Sequence, residues 1–277
     1  MQSTYPILEY DPEHTAIIEP SHICRPLDGM PEHCVLCFFH NVIKQLVEEG
    51  RAVEISSNPT EQGPRRFYAL DCGLGRPVTL LHPGIGAAIA AASLEIAIAR
   101  GGRKFVACGG AGVLDRSIAV GHLVVPTSAV RDEGTSYHYL PPEREVAPAP
   151  EAVQAIERVL QRRNVDYLLA KTWTTDAIFR ETRAKADQRR AEGCMTVEME
   201  AAAFFAVARF RGVPLGQILY GGDNLDGEEW DRRGWMERDS IREQLVYLAA
   251  EACLEIDETI EKTVTPRSTS AYFCGGR

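Results

Sequence analysis

The strongest constraint on this chain is an alternation of short apolar β-type runs with helical segments, sustained with no linker between them. Val78 to Leu81, Lys104 to Cys108, Leu123 to Pro126, Trp173 to Thr175, Thr196 to Met199 and Leu215 to Tyr220 read as buried strands. Between and after them, Ala87 to Ala99, Glu151 to Arg163, Glu181 to Glu192, Ala201 to Arg209 and Ser240 to Lys262 read as helices, two of them nearly all small residues. Upstream, Cys34 to Glu49 reads as a helix stopped by Gly50. Val53 to Ile55 and Phe67 to Leu70 read as strands around a turn-rich Ser56 to Pro64. Strands and helices in this order pack as a central sheet covered by helices on both faces. The expectation is one three-layer α/β/α domain with a central mixed, twisted sheet over residues 34–262. A Pro-, His- and acid-rich arm over 1–33 precedes it, and a mobile tail over 263–277 follows.

Composition narrows the function classes. With 45% hydrophobic residues in 277, a large core is available. A net charge of -9 with no long basic block argues against a nucleic-acid backbone as partner. The longest small-residue apolar run, Gly84 to Ala99, is interrupted by Ser93 and Glu95 and is too short to span a bilayer, so no membrane is expected as partner. No signal peptide is apparent at the N-terminus. The eight cysteines follow no repeated spacing, and Cys34-Val35-Leu36-Cys37 lies in apolar company with no second pair. A reduced, cytoplasmic protein with no metal and no organic cofactor is the expectation.

Candidate chemistry collects where strands end. Val197-Glu198-Met199-Glu200 carries two carboxylates into the alanine-rich helix, at the kind of junction where open α/β sheets bind ligands. In strand geometry Glu198 and Glu200 would share a face, suiting a sugar with vicinal hydroxyls. In a helical first turn the same pair would only favour the helix dipole. Pro83-Gly84-Ile85-Gly86, Gly109-Gly110-Ala111-Gly112 and Gly221-Gly222-Asp223-Asn224 read as glycine turns whose N–H groups could meet an oxyanion. None fits a P-loop, and none makes a dinucleotide fingerprint. The polar, aromatic stretch Arg131 to Leu140 offers Tyr137 or Tyr139 for stacking on a base. There Arg131 and Asp132 suit an internal ion pair that braces the loop.

Together these motifs resemble the nucleoside phosphorylase-I family, which holds purine nucleoside and uridine phosphorylases and the methylthioadenosine/adenosylhomocysteine nucleosidases. The resemblance runs from about Val78 to Ile260, with Val197-Glu198-Met199-Glu200-Ala201 its most specific part. It implies that Glu198, Met199 and Glu200 hold ribose, with Glu200 accepting from the 2′- and 3′-hydroxyls. Asp223 would donate a proton toward the base, and Tyr139 and Phe179 would contact it. Gly84, Gly109 and Gly110 would surround phosphate or water.

The resemblance also implies a homo-oligomer, dimer to hexamer, in which a histidine of one subunit reaches its neighbour's site; His14, His22 and His33 are the candidates. The pattern departs from the family in three places. The early G-D-P-x-R segment reads Met30-Pro31-Glu32-His33-Cys34, the strand-end arginine reads Ala107, and the turn hydroxyl reads Gly110 or Ala111. Thr175 to Thr182 lacks the Gln and Arg that read uracil, though Arg180 and Arg183 lie close. Phosphorolysis of a purine nucleoside is the first expectation. Hydrolysis by water, a uridine phosphorylase, and a non-catalytic nucleoside-binding protein are the alternatives.

Overall fold

The computed structural model describes residues 3–256. Its strands are β1 (His33–Cys37), β2 (Ala52–Asn58), β3 (Arg65–Leu70), β4 (Val78–Leu81), β5 (Lys104–Val113), β6 (Leu123–Asp132), β7 (Glu145–Val146), β8 (Tyr167–Thr175), β9 (Cys194–Glu198) and β10 (Leu215–Asn224). The helices are α1 (Pro20–Ile23), α2 (His40–Glu48), α3 (Ala87–Arg100), α4 (Pro150–Arg162), α5 (Arg183–Ala191), α6 (Ala201–Arg211) and α7 (Asp239–Leu254). All ten strands form one mixed sheet in the order β10-β6-β8-β9-β5-β1-β4-β3-β2, with β7 on β6.

The alternating side chains of the central strands separate two apolar layers. Val35, Cys37, Val106, Cys108 and Ile218 face α2, α4 and α7. Cys34, Leu36, Phe105, Ala107 and Leu215 face α3 and α6, whose alanines permit close helix-to-sheet approach. This is the expected mixed α/β layering. The sheet also curls: β5 pairs with β10 as well as with β1 and β9, so β10, β6, β8, β9 and β5 close into a ring.

Three local readings change. Cys34 to Cys37 is a strand and not the start of a helix, since β1 lies between β4 and β5 in parallel and is buried on both faces. Such a strand has a continuous apolar run with no period to distinguish it from helix. Second, Gly109–Gly112 and Gly221–Asn224 are not turns but continue β5 and β10. Glycine is needed there because the closed ring leaves no room. An added Cβ at Gly112 would stand 2.6 Å from Leu225 Cδ1, and one at Gly221 would stand 2.8 Å from Ile118 Cγ2. Only Pro83–Gly86 is a true turn, with Gly84 at φ 84° and Gly86 at φ 93°. Third, the last helix stops at Leu254. Residues 257–277, which include the expected tail, lie outside the described residues.

The arm crosses the α3 and α6 side with short turns at Pro6–Leu8 and α1. Among the described residues no helix is long and apolar enough to cross a membrane.

Candidate active site

The site forms where β9 ends and α6 begins. Strand geometry stops at Glu198, so Glu198 and Glu200 do not share a pleated face, and they take different roles. The Glu198 carboxylate turns back on its own backbone, accepting from the N–H groups of Glu200 (2.7 Å) and Ala201 (2.6 Å) and from the Thr174 hydroxyl (2.6 Å). It therefore satisfies orphan donors of the α6 N-terminus, as the helix-dipole reading foresaw, and its hydrogen bonds go to protein. Glu200 reaches across the fold instead. Its Oε1 accepts from the Gly86 N–H at 2.5 Å, which ties the Pro83–Gly86 turn and the start of α3 to the start of α6. Met199 stands half-buried between them.

Both carboxyls are nearly dry, at 7% and 6% exposure. Burial raises the proton affinity of each, and the charge of Glu198 raises that of Glu200 further. Glu198, with three donors and a helix N-terminus, is the better seat for the negative charge. Glu200 is the one that shares a proton.

Asp223 stands at the same end of the sheet, near the end of β10. Its Oδ2 accepts from Trp230 Nε1 at 2.6 Å, and its Oδ1 lies 3.6 Å from where a Gly112 side chain would begin. Gly112 is in register with Val197, one residue before Glu198, so β5, β9 and β10 bring Asp223 and the glutamates to one end. Glu181, after the turn Ile178–Arg180, faces Asp223. Burial, and then the Asp223 charge, lift its carboxyl to about 7. Sequence reading missed Glu181; its neighbour Phe179 drew the attention. The Phe179 side chain is 95% exposed and touches no ring among the described residues.

The glycines are placed differently from expectation. Gly109 and Gly110 sit inside the β5–β10 ladder, opposite Leu219 and Tyr220. An added Cβ at Gly109 would face Phe38 and one at Gly110 would face Tyr220 and Trp235, so neither presents an open backbone cradle. The Gly84 N–H donates to His82 Nδ1 at 3.0 Å. The carboxyl end of β1, the position from which an early strand would contribute ligands, carries Phe38, Phe39 and His40. The segment Met30 to Cys34 instead precedes that strand or begins it. Phe38 lies over Gly109 and near His82 and Phe204, with both ring centroids at 6.1 Å. Burial, with His40 adding to it, lowers the His82 proton affinity and keeps that ring neutral.

Tyr139 is remote from Asp223. It packs edge-on against Phe210 at 5.5 Å in a second cleft between the arm, α3 and α6, and burial followed by Glu95 pushes its hydroxyl up to about 12. His14 stacks on the same Phe210 at 4.7 Å, His22 closes a capping box with Glu19, and His33 is buried in β1. Arg131 braces its loop by donating to the Pro141 and Leu140 carbonyls and to Ser136. Asp132 pairs with Lys185 and Arg189 and not with Arg131. Among the described residues no cluster of three or more His, Cys, Asp or Glu forms a metal site.

Comparison with known proteins bears on the family and the fold. The sequence profile of the phosphorylase superfamily matches residues 32–255. A guanosine phosphorylase of Halorubrum lacusprofundi is 30% identical over 198 residues, which is 65% of this chain and 82% of that protein. A uridine phosphorylase of Thermococcus kodakarensis is 26% identical over 190 residues, 64% of this chain and 69% of that one. Among solved structures, an AMP nucleosidase from Bacteroides thetaiotaomicron superposes with a TM-score of 0.69 at 23% identity, covering 86% of this chain and 93% of that one. A purine nucleoside phosphorylase from Toxoplasma gondii in complex with immucillin-H gives 0.71 at 17% identity, covering 83% and 93%. At these identities the two solved structures speak to the fold.

Proposed function

The chain belongs to the phosphorylase superfamily, and from that premise we propose that it cleaves the N-glycosidic bond of a purine nucleoside with phosphate as acceptor, releasing the base and ribose-1-phosphate. The observation that carries this reading is the Glu200 carboxyl, fixed by the Gly86 N–H at the junction of two helix N-termini, with Asp223 at the same end of the sheet. Glu200 accepts from the ribose hydroxyls, and Met199 packs against the sugar. As the bond to the base breaks, the ribosyl group gains positive charge, and the negative charge of the buried pair, seated on Glu198, stabilises it in a site of low dielectric. A proton held by the facing Glu181, whose carboxyl burial lifts to about 7, passes through Asp223 to the departing base, and the bond from Trp230 orients the Asp223 carboxyl. An acid at this position supports a purine over uracil, as does the guanosine phosphorylase relative.

Hydrolysis is the second reading. It is favoured by one observation: Ala107, at the expected arginine position, is fully buried in β5. The test is a nucleoside panel with base release followed in phosphate and in phosphate-free buffer. Phosphorolysis predicts ribose-1-phosphate and a rate that vanishes without phosphate; equal rates and free ribose would establish hydrolysis. Asp223→Ala is expected to lose turnover of purine nucleosides while retaining binding, and unchanged turnover would remove Asp223 from the mechanism. The same reading puts the protein in the cytoplasm as a homo-oligomer. Ile17, Ile18 and Ile23, all exposed along one stretch of the arm, support assembly. A monomeric mass by light scattering would refute it.

A further inference from the structure

Arg183 joins the two segments that carry the Glu181 and Asp223 carboxyls. It opens α5, two residues after Glu181, and its guanidinium crosses to the stretch that follows β10. Nη1 donates to the Leu225 carbonyl at 2.9 Å, and Nη2 donates to the Gly227 carbonyl and, at 3.2 Å, to that of Glu228. Leu225 lies two residues after Asp223, and its own N–H donates to the Val113 carbonyl of β5 at 2.9 Å. A single planar fork with several donors thus fixes the backbone just beyond both carboxyls. The other charges around the pair point elsewhere. Arg116, from the β5–β6 connection, and Arg190 of α5 both meet Asp226, at 3.0 and 3.3 Å. Burial and then the Asp223 charge lift the Glu181 carboxyl, with no cation among the described residues offsetting them.

We propose that Arg183 is a positioning residue that holds Glu181 against Asp223, so that the two carboxyls share the proton used on the departing base. This rests on the glycosidic-cleavage reading and adds to it the side chain that sets the carboxyl separation. Arg183 lies beside the positions expected to read uracil, but its donors face backbone carbonyls of the loop. Proton transfer between two side chains needs them within hydrogen-bond reach or one water apart, and a loop free to drift would lose that reach. The sign of the effect separates this role from a loss of charge. Removing a nearby cation raises the proton affinity of a carboxyl, whereas parting Glu181 from Asp223 and opening it to water lowers that affinity toward the ordinary 4.5.

The test follows the Trp230 indole N–H, which donates to Asp223 at 2.6 Å and so reports the charge of the pair without turnover. Its magnetic resonance is recorded against pH in protein isotope-labelled in its three tryptophans, with Trp230→Phe used only for assignment. The wild type is expected to titrate with a midpoint near 7, and Arg183→Ala to titrate at least about one pH unit lower. Base release should show kcat reduced about tenfold in Arg183→Ala, with KM for the nucleoside within about threefold. Arg183→Lys, which keeps the charge but not the planar fork, recovers part of both and still titrates below the wild type. Arg116→Ala keeps the wild-type midpoint, because Arg190 still holds Asp226. Circular dichroism melts check folding, and if Arg183→Ala does not fold, Arg183→Lys decides alone. A midpoint that stays or rises on losing Arg183 overturns the proposal. So does an Arg116→Ala protein that matches Arg183→Ala, or a wild-type resonance that does not titrate near 7. A protein whose resonance follows these expectations yet releases no base from any nucleoside keeps the Arg183 clip and refutes the glycosidic-cleavage reading.

Discussion

Replacing Glu200 by glutamine tests whether the buried carboxyl pair retains a proton in the native state. The amide oxygen of glutamine still accepts from the Gly86 N–H, so geometry is preserved while the charge is removed. Burial and the Glu198 charge raise the proton affinity of Glu200 above the ordinary carboxyl value of 4.5. The native protein therefore keeps a proton that the unfolded chain releases. That contribution to stability is present at low pH and is lost as pH rises from about 4.5 toward the native value. Each pH unit in this window costs the wild type up to about 1.4 kcal/mol relative to a variant that does not titrate at residue 200, the raised Glu198 carboxyl being common to both. Between about pH 5.5 and 7.5, Glu200→Gln should gain about 2–3 kcal/mol on the wild type, or roughly 4–10 °C in Tm for a domain of this size. Urea unfolding across that range measures it. His82 has the opposite linkage, because burial lowers its proton affinity, but it cancels in the difference curve. Activity should fall about a hundredfold, since glutamine cannot offer a second acceptor to the sugar. A difference curve that stays flat from pH 5.5 to 7.5 would falsify the shared-proton argument.

Glu198→Ala strips an acceptor from two α6 N–H groups and from Thr174, so urea unfolding should show about 3 kcal/mol of destabilisation, against less than about 1 for an exposed glutamate. Gly112→Ala places a methyl 2.6 Å from Leu225 and 3.0 Å from Val197; it should cost about 2 kcal/mol in a thermal melt and displace Asp223, lowering kcat. Glu181 titrates at about 7 under burial and the Asp223 charge, so the pH profile of kcat/KM should carry a break near that value that Glu181→Gln removes.

The layered α/β architecture is legible because amphipathic and alanine-rich helices separate apolar runs along the chain. What escapes is set by neighbours distant in sequence. Gly109–Gly112 reads as a turn until Leu225, Val197 and Tyr220 are seen crowding it, and then glycine is required by a strand. Cys34–Cys37 has no period because both of its faces are covered. In the site, the local Val-Glu-Met-Glu spacing locates Glu200, but its partner Gly86 lies 114 residues away, so the division of labour with Glu198 is invisible before folding. Glu181 carries no motif. Its signal is physical, a half-buried carboxyl facing another, and it exists only in three dimensions.

The closed strand ring has a consequence for biosynthesis. Its last member, β10, is made about a hundred residues after β5, the strand it clasps. Until Leu215–Asn224 leaves the ribosome, β5 and β6 each present an unpaired apolar edge, and Gly109–Gly112 offers no bulky side chain or charge to guard it. The emerging chain is then most exposed to wrong partners where it later builds its site, and a chaperone that shields the β5 edge would act at that interval. Once β10 and α7 are in place, the same edge lies inside the ring, and the amides of Phe105 to Gly109 should exchange slowly with solvent.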